Sequence, residues 1–106
     1  MENDWIKAAE ASAVEADGTL GVEIEGKEIC LYRLDDGIYA TDGKCTHGEA
    51  YLSQGFIVDG GLIECPLHEG TFDIKTGAAA SAPCTVALQC HKVKVDDGVV
   101  YVRVAK

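Results

Sequence analysis

Cys45-Thr46-His47 and Cys65-Pro66-Leu67-His68 stand near the middle of the chain, and seventeen residues separate His47 from Cys65. Each stretch offers one thiol and one imidazole. A thiolate is a soft, charged ligand and an imidazole a neutral, borderline one, so two of each suit zinc or an iron–sulfur cluster. Gly43, Gly48, Pro66 and Gly70 flank the four candidates. Such residues let the backbone bend sharply and turn its N–H groups toward sulfur, which a hydrophobic helix would not do.

The segment between the two pairs explains how they meet. Phe56-Ile57-Val58 and Leu62-Ile63-Glu64 flank Asp59-Gly60-Gly61, the pattern of a hairpin. An antiparallel hairpin brings its ends together, so the loops at Cys45 to His47 and Cys65 to His68 are expected to face one site. Upstream, Leu20, Val22 and Ile24 alternate with small or polar residues at the period of a half-buried strand. Glu25-Gly26-Lys27 turns into the run 29–34, and Asp35-Asp36-Gly37 turns into 38–41, giving a meander that ends at the first ligand loop. Trp5-Ile6-Lys7 reads as a short edge strand with Trp5 as a packing anchor. Downstream, Thr71-Phe72-Asp73-Ile74 is a short strand. Ala78-Ala79-Ala80, ahead of Pro83, is too short to nucleate a helix. Lys92-Val93-Lys94-Val95 and the run 99–104, joined by Asp96-Asp97-Gly98, form the clearest hairpin: Val93 and Val95 face one way, Lys92 and Lys94 the other, and Val100, Val102 and Val104 supply a matching apolar face. The expected fold class is all-β, in one domain over residues 1–106, as 106 residues hold one modest core and no separate catalytic domain.

Composition limits the partners. The formal charge of −9, from 18 acids and 9 bases, argues against nucleic acid or an anionic membrane. The charge is uneven: residues 1–44 carry 11 acids and 4 bases, residues 45–83 carry 5 and 1, and residues 84–106 carry 2 and 4. No apolar run approaches the roughly 20 residues that span a bilayer, and Met1-Glu2-Asn3-Asp4 is acidic where a signal peptide is basic, so a cytoplasmic location is expected. Five cysteines in a reducing compartment read as ligands or buried thiols rather than disulfides. Cys30, inside Ile29-Cys30-Leu31, reads as core, and Cys84 and Cys90 as structural. His91 sits beside Lys92 at a strand start with no cysteine-paired loop around it, and is not read as a ligand.

At Cys45, His47, Cys65 and His68 the chain resembles the Rieske family of [2Fe–2S] proteins, whose pattern is Cys-x-His and Cys-x-x-His. The resemblance runs from Lys44 to Ser81-Ala82-Pro83, where the family carries a third, proline-containing loop. It implies stacked antiparallel sheets with a small inserted cluster-binding subdomain at about 44–83. It also implies one [2Fe–2S] cluster held by Cys45 and Cys65 on one iron and His47 and His68 on the other. Two thiolates cancel the +2 of the oxidised core and one electron makes the cluster −1, whereas four thiolates would leave it two units more negative and harder to reduce. Within the family, the chain is most similar to the ferredoxins of bacterial aromatic-ring dioxygenases. The implied role is one-electron transfer from an NAD(P)H-dependent flavoprotein reductase to a terminal oxygenase, with no catalysis of its own. Two other readings stand beside it: a structural Cys₂His₂ zinc module, whose usual spacing groups like ligands together, and a Cys-His nucleophile dyad, for which no orienting third group is evident. The resemblance also marks departures. Rieske proteins of respiratory chains carry a disulfide-forming cysteine in each loop, then a serine and a tyrosine bonded to the cluster sulfurs; Ala50, Leu67, Gly70 and Phe72 stand at those positions here.

Overall fold

The computed structural model describes residues 5–46, 50–66, 70–81 and 86–105, and within these ten strands build two antiparallel sheets. The larger sheet holds β1 (Ile6–Glu10), β2 (Thr19–Ile24), β3 (Lys27–Leu34), β4 (Gly37–Asp42), β9 (Cys90–Asp96) and β10 (Val99–Arg103), in the order β1-β10-β9-β4-β3-β2. The smaller holds β5 (Phe56–Val58), β6 (Leu62–Glu64), β7 (Thr71–Asp73) and β8 (Ala79–Ser81), in sequential order, and it enters the chain between β4 and β9. No described residue is in an α-helix, and no helix is long and apolar enough to cross a membrane. The all-β expectation and each expected hairpin are met, while Ala79 and Ala80 form part of a strand pairing β7.

Turn chemistry sets the registers. Glu25 and Gly26, and again Asp97 and Gly98, both have positive φ, the two-residue turn whose twist matches its flanking strands. Val22 then pairs with Ile29, and Val102 with Val93. One expectation is met only in part: Val95 pairs with buried Val100 but is itself half exposed, because the hairpin tip runs past the core.

The central strand β3 does not alternate. Ile29, Cys30, Leu31 and Tyr32 are all buried. Ile29 and Leu31 belong to one core with Val14, Ile24, Ala40, Val100 and Val102; Cys30, Tyr32 and Leu34 belong to the other, with Cys45, Cys65, Leu52, Ile63, Phe72 and Leu88. The large sheet therefore packs one face on its own curl and the other against the small sheet. Cys30 is core, as expected.

The two sheets join at Gly77, whose carbonyl accepts from Leu88 N–H at 2.7 Å, with φ +81°. A Cβ there would stand 2.3 Å from the Leu88 carbonyl oxygen, so only glycine fits.

Candidate metal centre

Cys45 and Cys65 hold equivalent places in two loops of the same construction. Lys44 pairs with Tyr51 in an isolated bridge, and inside it the Cys45 N–H donates to the Ala50 carbonyl at 2.9 Å. Glu64 pairs with Thr71, and inside that pair the Cys65 N–H donates to the Gly70 carbonyl, also at 2.9 Å. Each bond encloses four residues, 46–49 and 66–69. His47 and His68 fall within these segments and lie outside the described residues, as do Leu67, Pro83 and Cys84. The imidazole is second after its cysteine in one loop and third in the other.

Both cysteines are buried in one cluster, Cys45 at 4% and Cys65 at 0% exposure. The expected hairpin accounts for half of this meeting. The other half is a 3₁₀ turn, Leu52–Gln54, that sequence reading missed. It folds the chain back after the first loop, with Leu52 N–H bonded to the Gly43 carbonyl at 2.7 Å and its side chain fully buried. Gly55 then passes so close to β6 that a Cβ would stand 2.1 Å from the Glu64 carbonyl oxygen. The glycine directly before an apolar strand was the available signal. The Thr46 hydroxyl donates to the Val86 carbonyl at 2.6 Å, tying the first loop to the segment that leads into β9.

The remaining sequence candidates have other duties. His91 is buried on β9, where the backbone N–H of Ala105 donates to Nδ1 at 2.9 Å. Nδ1 must therefore accept, and Nε2 carries the proton that goes to Asp42 Oδ1 at 2.8 Å. Lys27 shares the same carboxylate at 3.4 Å. Burial pushes the Cys30 thiol up to about 12 and the Tyr32 phenol well above its ordinary value. The Tyr32 hydroxyl donates to Thr41 Oγ1 at 2.7 Å, because the Thr41 proton already goes to the Asp42 carbonyl at 2.8 Å. Cys90 is half-buried with Sγ 3.9 and 3.8 Å from the Ile74 and Lys75 carbonyls; burial pushes its thiol up, and the Asp73 and Asp42 carboxylates add to this. A protonated, carbonyl-facing thiol is a packing group, in line with the structural reading.

The donor set fits a cluster. Two thiols sit at matched loop positions in an apolar shell of Ala50, Leu52, Ile63, Phe72, Ile74 and Leu88, where a bare thiolate would be costly and a metal-bound one is stabilised. Residues 4–92 match the Rieske [2Fe-2S] domain. The chain belongs to that family. It is 46% identical over 97 residues to the ferredoxin component of the naphthalene 1,2-dioxygenase system of Pseudomonas putida, covering 92% of each chain. Among solved structures of the family it is similar to a chain in the complex of reduced oxygenase and oxidized ferredoxin in carbazole 1,9a-dioxygenase, with a TM-score of 0.87 and 43% identity over 96% of this chain and 94% of that one. The ferredoxin of carbazole 1,9a-dioxygenase from Nocardioides aromaticivorans IC177 aligns with a TM-score of 0.90 and 31% identity over 95% of this chain and 98% of that one.

Proposed function

We propose that this Rieske protein is a cytoplasmic one-electron carrier that takes electrons from an NAD(P)H-dependent flavoprotein reductase and delivers them to the terminal oxygenase of an aromatic-ring dioxygenase system. The cluster, when bound, supplies a one-electron couple. The observation that carries the reading is the matched pair of loop closures, Cys45 to Ala50 and Cys65 to Gly70, which brings two buried thiols into one apolar shell. The near full-length similarity to ferredoxin components of dioxygenase systems supports the choice of partners.

In this reading Cys45, His47, Cys65 and His68 are the ligands, and residues of about 44–83 form the cluster-binding subdomain. Each histidine binds iron through one ring nitrogen in this reading and offers the other to a partner, which makes the pair the exit for the electron. The carrier does no bond chemistry, and its residues hold the group, exclude water from the sulfur side and set its charge balance.

The test is spectroscopic and kinetic. The purified protein should contain about two irons and two inorganic sulfides per chain and give a Rieske-type paramagnetic signal when reduced. It should then be reduced by a dioxygenase-system flavoprotein with NADH and reoxidised by a terminal oxygenase. A colourless protein holding a single zinc would overturn the reading.

A further inference from the structure

The outer face of the large sheet is covered over only part of its extent. At Cys90 Ile74 and Lys75, in the turn after β7, sit against it. Beyond Cys90 the same face continues in rows set by strand register, two of them carrying cations and a third, at the hairpin end, holding Asp96, Val99 and Glu10. One row is Lys7, Tyr101 and Lys94; the next holds Arg103 and Lys92, with Trp5 stacked on it. Lys94 Nζ lies 5.0 Å from the Trp5 ring centre and 5.6 Å from that of Tyr101, and the Arg103 guanidinium lies 4.9 Å from Trp5 on the same uncovered face.

Two features set this face apart. The chain has twice as many acids as bases, so a typical cation should find a carboxylate. Lys7 does, with Glu10 at 3.6 Å, but among the described residues Lys92, Lys94 and Arg103 form no ion pair, and Arg103 Nε is buried with no hydrogen-bond acceptor. Lys94 and Arg103 are instead held in place by aromatic rings, which removes part of the entropy cost of ordering them against an anion. Beside the cations, at the step between the two sheets, is a cavity of about 310 Å³. Trp5, Ile38, Ile74 and Val93 give it apolar walls, and Lys92 stands at both the cavity and the cationic row.

We propose that this ledge is a docking site for a segment of a partner protein that carries carboxylates around one apolar side chain. The carboxylates meet Lys92, Lys94 and Arg103, and the apolar side chain enters the cavity beside Trp5. Charge complementarity selects the occupant: Lys92, Lys94 and Arg103 make a local cationic patch on a molecule of charge −9, so a cationic segment is attracted elsewhere and a short anionic segment, on a partner that is not itself strongly acidic, is drawn here. A second copy of the chain, at −9, is repelled at long range. The proposal is independent of what the cluster does.

The probe is an acetylated Glu-Glu-Phe-Glu-Glu peptide, titrated into the oxidised holoprotein and followed by the indole N–H resonance of Trp5, the single tryptophan. The expected result is a saturable shift of that resonance and of the 92–94 and 101–103 amides. Affinity should fall at least tenfold in the Lys92→Gln/Lys94→Gln variant and several-fold when the peptide's Phe is replaced by Gly. The visible spectrum and Tm of the variant should match wild type, since both lysines are exposed. Non-specific attraction to a −9 protein would favour Lys-Lys-Phe-Lys-Lys, so an equal or larger shift of Trp5 with that peptide overturns the proposal. So does unchanged affinity in the double variant. Vesicles of phosphatidylserine that shift Trp5 when the acidic peptide does not would make the occupant a lipid surface, and salt-sensitive self-association lost in Lys94→Gln would make it a second copy; either outcome overturns it.

Discussion

His91 Nε2 lies 2.8 Å from Asp42 Oδ1, and the bond joins β9 to the last residue of β4, just before the chain turns into the loop that carries Cys45. The bond gives the third histidine a structural role.

Replacing His47 or His68 by alanine should therefore abolish the visible spectrum or leave a poorly held species. His91→Ala should keep the spectrum but lower stability by about 2–3 kcal/mol, from a buried cavity and two lost hydrogen bonds. Iron content together with a denaturation midpoint checks both. Bleaching in His91→Ala equal to that in His68→Ala would show the ligand assignment to be wrong.

Gly77→Ala should be among the most damaging small substitutions outside the ligands. It forces a side chain into positive φ and drives a Cβ into the Leu88 carbonyl, for a combined cost of about 2–4 kcal/mol. Gly60→Ala, where φ is +73° but space is open, should cost only about 1 kcal/mol. Thermal unfolding of the two variants side by side tests whether the close approach or the dihedral angle dominates.

Alkaline stability follows from Cys30. Its thiol rises from an ordinary 9.0 to about 12 on folding, so between those values the folded chain holds a proton that the unfolded chain releases. Stability from this source is complete below about pH 9 and is lost as the pH climbs to about 12. Tyr32, raised in the same direction by burial, adds to the loss. Denaturant midpoints across that window should fall more steeply in wild type than in Cys30→Ala; equal slopes would show that Cys30 is not the source.

Electron delivery should slow as ionic strength rises, because residues 45–83 carry 5 acids and 1 base and would be steered toward a basic patch on the acceptor. Glu49, Glu69 and Asp73 are the acids nearest the ligands in sequence. Asp73, however, already accepts the N–H groups of Lys75 and Thr76 at 2.9 and 3.2 Å to close a turn. Asp73→Asn should thus affect the rate less than Glu49→Gln or Glu69→Gln. Stopped-flow rates at several salt concentrations read this out, and a flat dependence would favour apolar docking.

The potential should lie near the low end of the Rieske range of about −150 to +300 mV. By the family resemblance, Gly70 and Phe72 correspond to the positions from which Rieske proteins of respiratory chains donate hydrogen bonds to cluster sulfurs. Phe72 is fully buried in the same cluster as Cys65, so a hydroxyl placed there would have few acceptors other than sulfur. Half of a charged hydrogen bond's worth of about 1.5–3 kcal/mol corresponds to on the order of 30–60 mV per donor for one electron. Voltammetry of Gly70→Ser/Phe72→Tyr with an unchanged spectrum should show a rise; a potential that stays put or falls would rule out hydrogen bonding at these positions as its determinant.

Most of the architecture was legible because each hairpin announces itself locally. Asp97-Gly98 and Glu25-Gly26 fix turn type, and turn type fixes register over the next five and six residues respectively. The cysteine halves of the site were legible for the same reason, as each lies at the mouth of a tight loop. What escaped depends on distant partners. Leu52 looks like any leucine until Gly43 and β6 close around it, and the strand pairing of Ala79 needs Phe72 beside it. The ring-held cations beside Trp5 are equally silent in sequence, because Lys94 and Arg103 meet that ring only across three paired strands.

Because β3 is walled in on both sides, the two halves of the molecule share one partition. Ile29 and Leu31 close the base while Cys30 and Tyr32 close the cluster side, so neither half can melt while the other keeps its seal. The amides of this strand should exchange with solvent only through opening of the entire chain, at a rate that reports global unfolding. Stripping the iron should then loosen β1 and β10 as well, although Ile6, Val100 and Val102 belong to the core on the other side of this partition.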